Sequence, residues 1–268
     1  MSTPRLELNN IHKTFELGTV NENHVLKGVN LALAPGDFVT VIGGNGAGKS
    51  TLLNSISGSI VPDQGSIQID GEDVTRLSTA QRAHLLGYVF QDPKMGTAAR
   101  LTIEENMAIA NRRGVRRSLA RGVKAEDREW MKRSLEILGL GLEHRLTTDC
   151  EFLSGGQRQA LTLLMATLRQ PKLLLLDEHT AALDPKTSEM VLAITDRIIQ
   201  DQQLTALMIT HNMQDAIEYG NRLVMLHQGR IILDVEGETK RSLTVIDLMN
   251  MFKEASGNAF ASDSMILG

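Results

Sequence analysis

A glycine-rich loop between a short apolar strand and a helix constrains this chain more than any other feature of its sequence. The loop, GGNGAGKS, runs from Gly43 to Ser50 and directly follows the apolar run FVTVI. It fits the pattern G-x-x-x-x-G-K-[ST], in which glycines let backbone N–H groups converge on phosphate oxygens and the next helix adds its positive end. The sequence therefore predicts a nucleoside triphosphate site on an α/β core. The alternative is a glycine-rich turn that holds no ligand.

Individual residues of this phosphate loop have separate predicted tasks. Lys49 is expected to reach the β- and γ-phosphates, the Ser50 hydroxyl to bind Mg²⁺, and Thr51 to bind a phosphate nearby. The residues predicted to contact the nucleotide here are Gly43, Asn45, Gly46, Ala47, Gly48, Lys49, Ser50 and Thr51.

An acidic pair follows a second apolar run, KLLLLDE, at Lys172 to Glu178. Four leucines predict a strand buried on both faces, and Asp177 ends it at the edge of the sheet where α/β proteins bind ligands. We expect Asp177 to be a Mg²⁺ partner and Glu178 to be the base that polarises the attacking water. The alternative is that these acids cap the next helix.

The stretch LSGGQRQA places two glycines where a helix is about to begin. Ser154 is predicted to be its N-cap, because apolar residues recur at helical spacing from Leu161 to Leu168. Gly155 and Gly156 are poor helix formers, yet a helix N-terminus with small residues can be approached closely by an anion. The pattern indicates that this stretch meets an anion.

The order of strands and helices along the chain predicts the fold class, α/β. The predicted strands are 5–8, 38–42, 66–69, 88–90, 173–176, 205–209, 223–226 and 231–235, and the predicted helices of the middle region are 103–110, 126–138 and 154–169. Strands followed by helical patterns indicate a parallel sheet, and Gln228-Gly229 indicates a hairpin. We expect a phosphate-loop nucleotide-binding core with an N-terminal antiparallel β part (residues 1–93 and 170–268) and an inserted helical subdomain (94–169).

The composition and charge of the chain indicate its cell compartment and limit the classes of partner that it can bind. The net charge of −4 and pI of about 6.0 predict no nucleic-acid partner, and the basic residues from Arg112 to Arg133 are expected to form a solvated or subunit-facing surface. A single cysteine, Cys150, allows no internal disulfide and favours the cytoplasm. No apolar run approaches the roughly 18 residues of a spanning helix, so a membrane role has to come through a partner.

The phosphate loop, LSGGQ and LLLLDE together resemble the ATP-binding-cassette (ABC) ATPases, from Leu6 to about Asp234. The resemblance implies ATP and Mg²⁺ as cofactors and a head-to-tail dimer. In such a dimer the signature residues bind the γ-phosphate of the ATP held by the opposite copy. These signature residues are Ser154, Gly155, Gly156 and Gln157.

The same resemblance assigns four further positions. Gln91, after GYVF, matches the glutamine that senses Mg²⁺, the γ-phosphate and the membrane partner. Asp184 lies in the loop that crosses the dimer interface, and His211 matches the switch histidine at the γ-phosphate. Phe15 stands where an aromatic residue stacks on adenine; the family more often has tyrosine there. His179 replaces a common proline, and we expect it to have a packing or interface role.

The resemblance implies an ATPase subunit of an importer-type transporter, peripheral on the cytoplasmic face of the membrane. Its partners would be a second copy, separate transmembrane permease subunits and an extracytoplasmic solute-binding protein. The motif DEHTAALDP is most similar to ATPases of lipoprotein-dependent uptake systems, some for aromatic amino acids. The alternative is a soluble ABC ATPase that acts on an iron–sulfur scaffold. Sustained heptads of a chromosome ATPase and the second cassette of a translation factor are both missing from the sequence.

Overall fold

The computed structural model describes residues 3–115 and 123–255. The strands in these ranges are β1 (Leu6–Phe15), β2 (Asn23–Leu33), β3 (Phe38–Ile42), β4 (Gln64–Ile69), β5 (Glu72–Asp73), β6 (Leu86–Val89), β7 (Leu173–Asp177), β8 (Ala206–Ile209), β9 (Arg222–His227) and β10 (Arg230–Glu236). The helices there are α1 (Lys49–Ser57), α2 (Thr79–Arg82), α3 (Ile103–Asn111), α4 (Asp127–Glu136), α5 (Gly155–Thr167), α6 (Pro185–Asp201), α7 (Met213–Glu218), α8 (Gly237–Arg241) and α9 (Val245–Ala255).

The main sheet has six strands in the order β10-β9-β3-β8-β7-β6. Its five strands from β9 to β6 are parallel to one another, and β10 joins the edge antiparallel to β9. Gln228 and Gly229 make the turn of that last hairpin with φ angles of 46° and 80°, as a type I′ turn requires. The predicted parallel sheet and the predicted hairpin are both confirmed.

Strand β7 lies at the centre of the core, because alternate leucines enter opposite faces of the sheet. Leu173 and Leu175 pack with residues of α1, whereas Leu174 and Leu176 pack with residues of α5 and α6. All four leucines have no exposed surface. The prediction of a strand buried on both faces is confirmed.

The second sheet is antiparallel, in the order β2-β1-β4-β5, and it shares one apolar core with α1 and the main sheet. The N-terminal antiparallel part was predicted, but β2 was missed. Its apolar alternation is interrupted at Gly28, which adopts a left-handed φ of 78°, and the pairing with β1 is irregular. Asp70 and Gly71 form the tight turn before β5, both with left-handed φ angles.

Helices α3, α4 and α5 lie between β6 and β7, and 3₁₀ turns cover Leu142–His144 and Cys150–Phe152. Cys150 is buried, and Trp130 packs against the same cluster. Because this cluster also includes Leu174 and Leu176 of the sheet, the helical region shares its core with the nucleotide-binding part. The domain boundaries at residues 94 and 169 stay a prediction.

Three of the predicted basic surface residues, Arg116, Arg117 and Arg121, lie outside the described residues, as does the tail from Ser256. Arg128 Nε donates to Glu104 Oε2 at 2.6 Å, and Arg113 donates to the Ala166 carbonyl oxygen at 2.7 Å. These two arginines are therefore tied to this chain rather than fully solvated. No helix within residues 3–115 and 123–255 is long and apolar enough to cross a membrane.

Candidate active site

The phosphate loop connects β3 to α1, and its glycines are required by the surrounding backbone. A Cβ on Gly43 would overlap the Leu226 carbonyl oxygen. Gly48 is the N-cap of α1 with a φ of 103°, in the left-handed region that favours glycine. These two glycines therefore serve the backbone conformation and packing of the loop, and α1 begins directly after it.

Lys49 is 7% exposed, and its Nζ donates to the Gly43 carbonyl oxygen at 2.7 Å. Burial lowers the pKa of Lys49, and the charges of Glu178 and Asp177 act in the opposite direction. Lys49 Nζ lies 3.8 Å from Glu178 Oε1. The structure therefore brings the phosphate loop and the acidic pair together, although they are far apart in the sequence.

Glu178 is also in contact with the two other residues predicted to sense the γ-phosphate. Gln91 Nε2 lies 3.4 Å and His211 Nδ1 lies 3.7 Å from Glu178 Oε2. Glu178 has a left-handed φ of 42°, which is uncommon for a residue with a side chain. Such backbone conformations are concentrated at functional sites.

Asp177 sits at the end of β7 and accepts a hydrogen bond of 3.0 Å from the Tyr88 hydroxyl. Burial raises the pKa of Asp177; the Tyr88 hydrogen bond lowers it, Glu178 raises it and Lys49 lowers it. Sequence reasoning missed Tyr88 as a site residue. Tyr88 pairs with Leu175 across parallel strands, so it shares a face with Asp177, but only the strand order reveals this.

The signature stretch begins α5 and has the predicted cap. The Ser154 hydroxyl accepts from the Gln157 N–H at 3.3 Å, and the Ser154 N–H donates to Gln157 Oε1 at 3.2 Å. Ser154 and Gly155 are exposed, whereas Gly156 is buried. A Cβ on Gly156 would overlap the Thr187 methyl group at the start of α6. Packing inside the subunit therefore explains Gly156, which the sequence analysis attributed to room for an anion.

We expect Gly156→Ala to lower the free energy of unfolding by about 1–3 kcal/mol, since the added methyl overpacks the α5–α6 contact. Thr187→Ser removes the opposing methyl and should restore most of the loss in the double variant. Gly155→Ala is the matched control, because the nearest described atom to its Cβ outside its own stretch of helix is Leu183 Cδ2, the end of a flexible side chain, at 3.3 Å. Urea unfolding of the wild type, Gly156→Ala, the double variant and Gly155→Ala measures these free energies. An unchanged stability of Gly156→Ala would contradict this packing role.

Asp184 and Phe15 lie at surfaces. Asp184 is the N-cap of α6, and its Oδ1 accepts from the Thr187 N–H at 3.1 Å. Phe15 ends β1 with 37% of its surface exposed, and Lys13 Nζ lies 5.6 Å from its ring centroid. Their nucleotide contacts stay predictions. The exposure of Phe15 is compatible with a base stacking on its ring.

His179 has a packing role, as predicted. It is 1% exposed, and its Nε2 lies 3.0 Å from Thr195 Oγ1. Since the Thr195 hydroxyl donates its proton to the Val191 carbonyl oxygen at 2.8 Å, His179 is the donor to Thr195. Burial lowers the pKa of His179 to about 4. The ring is therefore neutral near pH 7 and turned into the core behind Glu178.

This buried ring predicts a stability loss at acidic pH. The unfolded histidine titrates near 6.5 and the folded one near 4, so the unfolded chain binds more protons between these values. The contribution of neutral His179 to the free energy of unfolding is complete above about pH 6.5 and decreases as the pH falls toward 4. Unfolding in urea should therefore show a loss of about 2 kcal/mol between pH 7.5 and 5 from this residue. The variant His179→Gln has no titratable group at this position. If its free energy of unfolding depended on pH as steeply as that of the wild type, this assignment would be contradicted.

Gln159 is a second residue that sequence reasoning missed. It is fully buried on α5, and its Nε2 donates to the Phe90 carbonyl oxygen at 2.9 Å, next to Gln91. This bond ties the signature helix to the segment that carries Gln91. A polar residue on the apolar side of the predicted helix was the available signal.

Comparison with known proteins identifies the family to which this sequence is similar. Residues 26–181 match the sequence profile of the family described as ABC transporter. A tyrosine transport ATP-binding protein of Clostridioides difficile (strain R20291) is 41% identical over 250 residues, which are 93% of this chain and 99% of the relative. A phosphonates import ATP-binding protein of Ruegeria sp. (strain TM1040) is 34% identical over 85% of this chain and 88% of its own length.

Other similarities extend to release systems and to solved structures. The lipoprotein-releasing system ATP-binding protein LolD of Ruegeria pomeroyi (strain ATCC 700808 / DSM 15171 / DSS-3) is 36% identical over 86% of this chain and 98% of its own length. The dimeric structure of an ATP-binding cassette in a post-hydrolysis state with ADP and Pi superposes with a TM-score of 0.71. It is 30% identical and covers 86% of this chain and 98% of that one.

Proposed function

We propose a role in solute uptake on one premise: the chain belongs to the ABC transporter family and is an ATP-hydrolysing subunit of such a transporter. Two copies would bind two ATP molecules head-to-tail and dock on separate permease subunits at the cytoplasmic face of the membrane. The proposed chemistry rests on one observation: Lys49, Gln91 and His211 all lie within 4 Å of the Glu178 carboxylate. The sequence analysis predicted separately that Lys49, Gln91 and His211 face the γ-phosphate.

The proposed cofactor Mg²⁺ fits the residues predicted to hold it. Ser50, Gln91 and Asp177 offer a hydroxyl, an amide and a carboxylate oxygen, the donors that Mg²⁺ prefers. Gln91 contacts Glu178 through its amide nitrogen, which leaves its oxygen as an acceptor. When bound, Mg²⁺ would neutralise charge on the β- and γ-phosphates.

The protein side chains would act on ATP in separate steps. The loop amides and Lys49 would hold the phosphates, and Phe15 would stack on adenine. The Glu178 carboxylate would accept a proton from the attacking water, while Lys49, Gln91 and His211 hold that carboxylate in place. Such positioning of the base and the phosphates is the main contribution that a protein makes to phosphoryl transfer.

The signature residues support a site that is completed by a second copy. In this chain Gly155 and Gly156 lie against Leu183 and Thr187 at the start of α6. Ser154 and Gly155 are exposed at the N-terminus of α5, where free N–H groups favour an anion. A second subunit would present its γ-phosphate to them.

The permease would dock beside the Gln91 segment. A groove of about 390 Å³ runs there between this segment and α3, and its lining includes Phe90, Met95 and Ile109. Met95 is 65% exposed at this groove.

Uptake of an aromatic amino acid, with a solute-binding protein outside the membrane, is the finer proposal. It is supported by the tyrosine transport relative, whose identity and coverage exceed those of the phosphonate import and lipoprotein-releasing relatives. These relatives are all transport proteins and give no support to a role on an iron–sulfur scaffold.

Uptake by a strain that lacks the gene for this chain tests the proposal. Uptake of radiolabelled tyrosine should fall several-fold, and the wild-type gene should restore it while Glu178→Gln does not. Phosphonate uptake serves as the matched control and should be unchanged. Normal tyrosine uptake together with retained lipoprotein in the inner membrane would contradict import and favour release.

A further inference from the structure

Two histidines on neighbouring strands of the antiparallel sheet present ring nitrogens to each other, near the end of β1 that carries Phe15. His12 lies on β1 and His24 on β2. His12 Nδ1 and His24 Nε2 are 3.3 Å apart, and the rings stack with an interplanar angle of 24°. His24 is exposed and His12 is half-buried, so solvent reaches the pair.

A third side chain sets the protonation of His12. Asn10 Oδ1 lies 3.1 Å from His12 Nε2. Because an amide oxygen only accepts, Nε2 carries the proton and Nδ1 presents a lone pair toward His24. Metal-binding histidines are oriented in this way, by a hydrogen bond from the other ring nitrogen to an oxygen.

The backbone holds Asn10 in this position. Asn10 lies at an irregularity in the β1–β2 pairing, has a left-handed φ of 50°, and its N–H donates to Asn30 Oδ1 at 2.8 Å. A bulge of this kind re-aims a side chain within a sheet. Here it aims the amide oxygen of Asn10 at His12.

The charges around the pair tolerate a cation. Lys13 Nζ is bound to Asp63 Oδ1 at 2.8 Å, so these two charges offset each other. Asp63 is anchored beside His12, because its N–H donates to the His12 carbonyl oxygen at 2.8 Å and its Oδ2 accepts from the Thr14 N–H at 2.6 Å.

We propose that His12 and His24 form a binding site for a divalent transition metal of the Zn²⁺ or Cu²⁺ class. Two nitrogens at about 2.0–2.1 Å from a tetrahedral ion are separated by roughly 3.3 Å, which agrees with the distance between these rings. Imidazole suits these ions, and Cu²⁺ should bind most tightly. Within residues 3–115 and 123–255 no third His, Cys, Asp or Glu joins them, so water completes the coordination. The ion would link β1 to β2.

Titration calorimetry of the tag-free chain with Zn²⁺, without nucleotide, tests this site. We expect one Zn²⁺ per chain, with binding at least about ten-fold weaker in His12→Ala and in His24→Ala. His144→Ala is the matched control, because His144 is an exposed histidine beside Glu143 elsewhere on the surface. Asn10→Gly keeps the left-handed backbone and should weaken binding by about 10–100-fold.

Two further measurements separate metal binding from a structural role of the pair. Zn²⁺ should raise the Tm of the wild type but not of His24→Ala, while their Tm values in EDTA stay alike. The spectrum of bound Cu²⁺ in electron paramagnetic resonance should show splitting from two imidazole nitrogens, and from one in either variant. Zn²⁺ binding that is unchanged in His24→Ala, or no uptake by the wild type at millimolar Zn²⁺, would overturn the site. A lower Tm of His24→Ala in EDTA without any Zn²⁺ effect in the wild type would make the pair structural only.

Discussion

Glu178→Gln should slow ATP hydrolysis by about 10²–10⁴-fold and trap an ATP-bound dimer. Glutamine keeps the size of the side chain and its contacts with Gln91 and His211, which lie 3.4 and 3.7 Å from Glu178 Oε2. It removes the basicity that would take a proton from the attacking water. Two bound ATP molecules would still pull the subunits together, since the phosphate loop and the signature residues are unchanged.

Phosphate release and size-exclusion chromatography measure the two halves of this result. The variant should elute as a dimer with ATP and as a monomer with ADP or without nucleotide. Asp177→Asn is the matched control, because the loss of a Mg²⁺ partner should damage nucleotide binding and hydrolysis together. Near-normal turnover of Glu178→Gln would remove Glu178 from the role of base. His211 would then be the next candidate, whereas the buried, neutral His179 would not.

Gly155→Asp should abolish hydrolysis while the isolated subunit keeps its affinity for ATP. The added carboxylate would meet the γ-phosphate of the opposite subunit, and like charges at a few ångströms repel strongly. The fold should tolerate it: Gly155 is exposed, and an acid in the first turn of a helix is stabilising. Gly155→Asn is the matched control, since it adds the same volume without the charge, and it should retain part of the activity.

Mixing Gly155→Asp with Lys49→Ala tests the head-to-tail arrangement. Lys49→Ala alone should abolish hydrolysis and weaken ATP binding sharply, because the buried ammonium is predicted to contact the phosphates. In a mixed dimer one site carries both changes and the other carries neither. Hydrolysis should therefore return in the mixture, although each variant alone is inactive. Weak ATP binding by monomeric Gly155→Asp would contradict a role for this residue on the opposite subunit.

Features that depend on a few consecutive residues were predicted well. The phosphate loop, the Gln228-Gly229 hairpin and the Ser154 cap each follow from local backbone chemistry, and the structure has all three. Strand β2 was missed for a local reason as well. Gly28 and the irregular pairing hide the period of two that identifies a half-buried strand.

Contacts between segments that are distant in the sequence were also not predicted. The hydrogen bond from Tyr88 to Asp177 requires β6 to lie beside β7, and the sequence of neither strand specifies the strand order. Gly156 was attributed to an anion, but its lack of a side chain is also needed by Thr187 on α6. The packing of α5 on α6, which the sequence does not show, gives this reason for the glycine.

The sequence by itself determined the kind of chemistry, because residues such as Lys49, Asp177 and Glu178 stand in motifs whose spacing phosphate binding requires. It also placed those residues at strand ends, where a parallel sheet gathers them. The tertiary structure decided which groups meet: Glu178 with Lys49, Gln91 and His211, and His12 with His24 across two strands. The physical reason is that side-chain distances of 3 to 4 Å depend on strand order and register, which are fixed by the burial of the whole core.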